Sequence, residues 1–234
     1  MVSFVSHCIH SSCTADGLVA VESIDKDEEL FSVPTDLVLS VATSSLDSSI
    51  KSALEPLEGW AALVIALIFE DAKGATSYWA PYCAILPGEL DTLMFWSEEE
   101  LSELQGSMVL HKIGKQSADD YLLASLWPIV KANISHFGRH QEGFSSPDGS
   151  VYFLTMAHRM ASIIFAYGFD LDPDETTGDD SGTDDDEYST MGREPTKAMV
   201  PLADILNADA DLNNVGISPC ATSYGLLSYF IRHA

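Results

Sequence analysis

The period of the apolar residues changes partway along this chain, and that change limits the folds open to it. Residues 17–24, 29–33 and 37–41 are short, β-branched apolar runs separated by polar or Pro-containing turns, and they read as strands. From about residue 46 to 169 the pattern is helical. Residues 60–69 are apolar nearly all round, as in a buried helix. Ser97 with Glu100 three residues on predicts a capping box. Residues 118–126 predict a helix that Pro128 breaks or kinks. Residues 151–167 predict a long amphipathic helix that begins after Asp148. Residues 79–82 and Leu86-Pro87 read as extended or turn segments, because a residue before Pro avoids the α region. Strand character returns at Met199. This order predicts an α+β fold in which a helical insert splits a β-rich domain.

Charge narrows the function classes. The 234 residues carry a formal net charge of −25, the wrong sign for binding nucleic acid through its phosphates. An acidic field instead raises the encounter rate with basic partners. The 46% hydrophobic content supports a substantial core. No apolar run is long enough to span a membrane, and the N-terminus lacks the basic region of a signal peptide. An intracellular location, nucleus or cytoplasm, is the expectation. Cys8, Cys13, Cys83 and Cys220 follow no disulfide framework and read as free thiols. His7, Cys8, His10 and Cys13 match no standard zinc spacing, so no metal site is expected. Residues 170–188 contain ten acidic residues with Gly, Ser and Thr between them, the composition of a disordered acidic loop.

The stretch Met199-Val200-Pro201-Leu202-Ala203-Asp204-Ile205-Leu206-Asn207-Ala208-Asp209 carries the chemistry. A strand-like entry is followed by a Pro and a short turn that brings Asp204 and Asn207 to a buried crossing. The stretch resembles the cofactor-binding motif of SET-domain protein-lysine methyltransferases, in the branch typified by the Rubisco large-subunit methyltransferase. Residues 18–34 resemble that branch's first strand pair, and residues 79–87 and 94–101 its helical insert. Within the branch the chain is most like fungal enzymes that methylate lysine on ribosomal proteins. The resemblance implies a β-rich SET fold split by a helical insert and incomplete at the C-terminus. Residues 1–45 would form the first SET half, and residues 46–169 the insert and the helix leading back. Residues 170–196 would be the acidic loop, 197–215 the start of the second half, and 216–234 a divergent tail.

The resemblance also implies S-adenosylmethionine as cofactor, held by Asp16, Gly17, Asn207 and Ala208. Asn offers both donor and acceptor groups to an amino-acid and purine ligand. Ala15 stands where relatives have a second Gly, and Ala208 where many have His. Tyr167, Phe169 and Asp204 would line the channel for the target lysine, where aromatic faces attract an ammonium group. The implied partner is a basic protein, a ribosomal one included, with no direct nucleic-acid or membrane contact. Relatives supply a catalytic Tyr downstream of the motif. Tyr224-Gly225 lies only 17 residues after Asn207, so no catalytic residue is assigned and the chain reads as truncated. The alternative expectation is a catalytically dead SET fragment that acts at most as a protein-binding module.

Overall fold

The structure, a computed structural model, describes residues 23–26, 28–171, 195–206, 215–221 and 227–233. Most of the first expected strand, the bulk of the acidic loop, the His/Cys cluster, Tyr224, and the expected cofactor residues Asp16, Gly17, Asn207 and Ala208 lie outside these. The chain divides into two compact units. Residues 1–39 and 169–234 form a split unit, and residues 40–168 a helical one.

In the split unit, β1 (Glu29–Pro34) pairs antiparallel with β5 (Leu227–His233), which pairs antiparallel with β4 (Val215–Ala221). A second, two-stranded sheet joins β2 (Gly168–Leu171) and β3 (Thr196–Met199). Phe31 stands opposite Ile231, and Ile231 opposite Ile217, so one apolar row crosses all three strands of the larger sheet. That row belongs to the core built by Val33, Val38, Leu171, Ala198, Val200 and Ala203. Among the described residues β4 lies at the edge of this sheet, the place where a sheet tolerates a residue without an N–H such as Pro219.

Two expectations are corrected here. The stretch 216–234, expected as a tail, supplies most of β4 and all the described part of β5, with β5 at the centre of its sheet. The strand expected at 37–41 reduces to one bridge, Leu39 to Met199, with both N–H···O bonds at 2.9 Å. A 3-10 turn (Thr35–Leu37) takes its start. Its end is pulled round because the Thr43 Oγ1 accepts from the Ser40 N–H at 2.9 Å.

In the helical unit, α1 spans Ser48–Leu54 and α2 Gly59–Lys73. Residues 61–70 of α2 are all buried, as the run of apolar residues requires. Short helices follow: α3 (Ala80–Ile85), α4 (Glu98–Ser102), α5 (Val109–Ile113), α6 (Lys115–Tyr121), α7 (Trp127–Ala132) and α8 (Gln141–Ser145). The long helix α9 (Gly149–Tyr167) packs on α2. Phe153, Ala157, Met160 and Ile164 are buried at helical spacing along one face. The capping box is present, with Ser97 Oγ accepting from the Glu100 N–H and Glu100 accepting from the Ser97 N–H. Residues 79–82 are not extended, because Pro81 falls in the first turn of α3, where its missing N–H breaks no helical bond. Pro128 neither stops nor sharply breaks the chain. A wider π turn (Leu122–Leu126) precedes it and opens the space its ring needs. No described helix is long and apolar enough to cross a membrane.

Candidate functional site

The motif that begins at Met199 leaves β3 as a pinned turn. Met199 and Val200 are fully buried, and the Leu39 bridge clamps the entry. A 3-10 turn (Ala203–Ile205) follows, in which the Ala203 and Asp204 N–H groups both donate to the Val200 carbonyl, at 3.1 and 3.3 Å. Immediately before this turn Leu202 sits at φ 74°, ψ −34°, the one non-glycine residue at positive φ among those described, with 51% of its surface exposed. Such a conformation costs about 1–3 kcal/mol and persists only where its surroundings over-determine it. Here buried Val200, two residues before, and buried Ala203, directly after, do so. Leu206 is extended and leads directly to Asn207.

Of the expected channel residues, Phe169 lies in β2 and packs against the core cluster that contains Ala203, the neighbour of Asp204. Asp204 is half-buried on the 3-10 turn. Both belong to the split unit. Tyr167 is half-buried and ends α9 in the helical unit. Gly168 makes the exit from α9 possible, since a Cβ there would stand 2.5 Å from the Ile164 carbonyl oxygen. Asp170, expected at the start of the acidic loop, is in β2 and pairs with Lys197 of β3 at 2.6 Å.

A polar centre that the sequence does not announce lies in the helical unit. Glu70 and Asp71, at the end of α2, line a cavity of about 340 Å³ with Cys83 and Arg139. Asp71 Oδ2 is 2.7 Å from both His140 Nε2 and Arg139 Nη2, and His140 Nδ1 is 2.8 Å from the Tyr152 hydroxyl. Burial raises the Asp71 pKa, but hydrogen bonds from His140 and Arg139, with their charges, outweigh it and bring the carboxyl from 3.8 down to about 2. Burial first, then the charges of Asp71 and Glu70, push the Cys83 thiol up to about 11, so it is not a nucleophile at neutral pH. Both carboxylates are bound by neighbours from α9, the turn at 138–140 and the segment around Ser45 and Ser77. The arrangement is a structural clasp. Among the described residues no group of His, Cys, Asp and Glu could hold a metal ion.

The clasp makes a pH prediction. A carboxyl whose folded pKa is depressed stabilises the fold above its unfolded value and stops doing so as pH falls through the folded one. Asp71 is therefore expected to contribute about 2 kcal/mol above pH ~4, lost between pH ~4 and ~2. Urea unfolding at several pH values checks this. The gap between wild type and Asp71→Asn should close across that window, and a gap that stays constant would refute it.

Comparison with known proteins agrees with this architecture. The chain is 33% identical over 209 residues to ribosomal lysine N-methyltransferase 4 of Saccharomyces cerevisiae, which covers 86% of this chain and 40% of that protein. It is 34% identical over 204 residues to N-lysine methyltransferase SETD6 of Mus musculus, covering 84% and 38%. A solved SET domain of LSMT bound to lysine and AdoHcy superposes with a TM-score of 0.63 at 23% identity, over 94% of this chain and 45% of that one. Rubisco LSMT bound to AdoMet gives 0.58 at 23%, over 94% and 43%. No family model matches. The fold is the α+β SET fold, and the chain belongs to the SET-domain family that includes these lysine methyltransferases. It spans about two-fifths of the length of the curated relatives it matches.

Proposed function

We propose that this chain is the catalytic-domain portion of an S-adenosylmethionine-dependent protein-lysine N-methyltransferase that acts on a basic protein, a ribosomal one being the first candidate. The observation that carries the reading is the identity of about one residue in three, over more than four-fifths of the chain, to lysine methyltransferases from yeast and mouse. The net charge of −25 supports a basic substrate. The similarity to a ribosomal lysine methyltransferase supports the ribosomal choice.

The described half of the motif suits the cofactor. A strained, pinned turn delivers extended backbone at Leu206 toward Asn207, and strained, over-determined turns are a recurring feature of ligand sites. Gly17 offers close backbone approach, and Asn207 supplies a donor and an acceptor. Asp16 and Ala208 complete the proposed cofactor set by resemblance. When bound, S-adenosylmethionine supplies an electrophilic sulfonium methyl group. The residues of this chain have the remaining tasks. A lysine ammonium must shed its proton before its nitrogen can attack, and a dry apolar wall favours the neutral amine. Phe169, packed against the core cluster that includes Ala203, is the residue assigned to supply such a wall. Asp204, on the same unit, is the residue assigned by resemblance to orient the incoming amine. The channel proposal stands on these two, and Tyr167 is carried by resemblance alone.

Two measurements test the reading. Titration calorimetry of the whole chain with S-adenosylmethionine is expected to give binding that Asn207→Ala weakens by at least about tenfold, about 1.4 kcal/mol. Transfer of a radiolabelled methyl group to basic ribosomal protein is the second. Absence of both binding and transfer would remove the enzyme reading and favour a non-catalytic protein-binding module.

A further inference from the structure

We propose that the helical unit carries a docking groove for an extended segment of a partner protein in which apolar residues alternate with Lys or Arg. The groove lies between the segment ahead of α4, helix α5 and the last turns of α9. It encloses about 540 Å³ and is lined chiefly by Leu93, Met94, Val109, Ile113 and Phe165. Phe165 is 68% exposed and Val109 40%. Clustered exposed apolar side chains mark an interaction surface, and a methionine wall adapts to varied side chains.

Charge selects the occupant. Between residues 74 and 111 there is no Lys or Arg, while Glu89, Asp91, Glu98, Glu99, Glu100 and Glu103 are all exposed. The wall at 92–94 lies in the middle of this stretch. Lys112 is on the α5 side of the groove, so the acidic border is one-sided and the partner's cations lie along the 89–103 flank. Phe165 adds a second attraction, since aromatic faces attract cations. Its ring is backed by Trp60, 5.3 Å away, which in turn stands 5.6 Å from Tyr121 and donates its indole N–H to Glu58 at 2.6 Å. These three rings are tilted against one another by only 32–41°. They are too closely stacked to admit an ammonium between them, so a cation meets Phe165 on its open side. A second copy of a chain with charge −25 is a poor occupant, because like charges repel.

Docking is independent of methyl transfer, and only the identification of the partner as the substrate rests on the reading above. The test is fluorescence anisotropy on the whole chain with labelled short peptides of alternating Leu/Lys, Ser/Lys and Leu/Glu. The Leu/Lys peptide is expected to bind about tenfold more tightly than either other, with affinity falling as salt rises. Val109→Lys and Met94→Lys should each weaken it about tenfold in chains whose thermal unfolding is unchanged. Val151→Lys, exposed and roughly 21 Å from Phe165 along α9, should leave it unchanged. Equal binding of Ser/Lys would mean charge alone and overturn the groove. Equal binding of Leu/Glu would overturn the charge argument. A dimer in sedimentation that Val109→Lys abolishes would put a second copy in the groove and overturn the proposal. Peptide binding with neither cofactor binding nor methyl transfer sinks the methyltransferase reading alone, and the reverse sinks the groove alone.

Discussion

Glu70→Ala is expected to destabilise the helical unit by roughly 3–5 kcal/mol in denaturant unfolding, the cost of removing one side of a buried charged network. The Glu70 side chain is fully buried. It accepts from the Ser45 N–H at 2.9 Å, the Ser45 hydroxyl at 2.7 Å and the Ser77 hydroxyl at 2.6 Å, and Lys73 Nζ stands 3.4 Å away. Burial alone would raise its pKa. The bonds from Ser77 and Ser45 and the charge of Lys73 more than offset that and hold it below the ordinary value. Alanine strands the buried Ser77 hydroxyl, removes the acceptor of both Ser45 donors nearer the surface, and leaves Lys73 without this partner. Glu70→Gln keeps an acceptor and is expected to lose only about 1–2 kcal/mol. An alanine variant within about 1 kcal/mol of wild type would show that water replaces the carboxylate and that the clasp does not hold the end of α2.

Gly138→Ala is expected to cost roughly 3 kcal/mol, read as a lowered unfolding midpoint. A Cβ at this position would stand 2.4 Å from the Ala72 carbonyl oxygen and 3.1 Å from its carbon. Those atoms are backbone of α2, so they cannot swing aside as the end of a side chain would. The φ of +31° adds a penalty of its own for any residue with a Cβ. The neighbour Phe137 is fully buried and meets Phe69 and Phe144 edge-on, with centroids at 6.0 and 5.6 Å. His140 follows two residues later in the Asp71 clasp. Displacement of this turn therefore disturbs an aromatic contact and an ion pair together. A variant as stable as wild type would mean that the turn shifts freely.

Some of this molecule is legible from the residues alone, and the reason is local. The burial of α2 is written in an unbroken apolar run, the start of α4 in Ser97 and Glu100, and α9 in apolar residues at helical spacing. Each signal is complete within a few turns of chain. The reading fails where a distant partner decides. Residues 37–41 have strand composition, but among the described residues their strand-like pairing is a single bridge, Leu39 to Met199. Residues 79–82 look extended because of Pro81, yet a Pro in the first turn of α3 costs no bond. Residues after Val215 look like a tail because nothing local reveals that Ile231 faces Phe31, 200 positions earlier.

The candidate site divides in the same way. The motif from Met199 to Asp209, taken together with the insert stretches at 79–87 and 94–101, pointed to the family from the sequence, and the similarity to lysine methyltransferases agrees with it. The positive φ at Leu202 and the clamp at Leu39 came only from the fold, because backbone strain is set by what surrounds a turn and not by its letters. The Glu70 and Asp71 clasp came only from the fold as well, because its partners lie 25 and 69 residues away. Local periodicity and motif order are encoded within a short stretch and belong to the sequence. Strand order, buried charge pairing and the shape of a groove depend on which distant segments meet, and tertiary packing alone decides that.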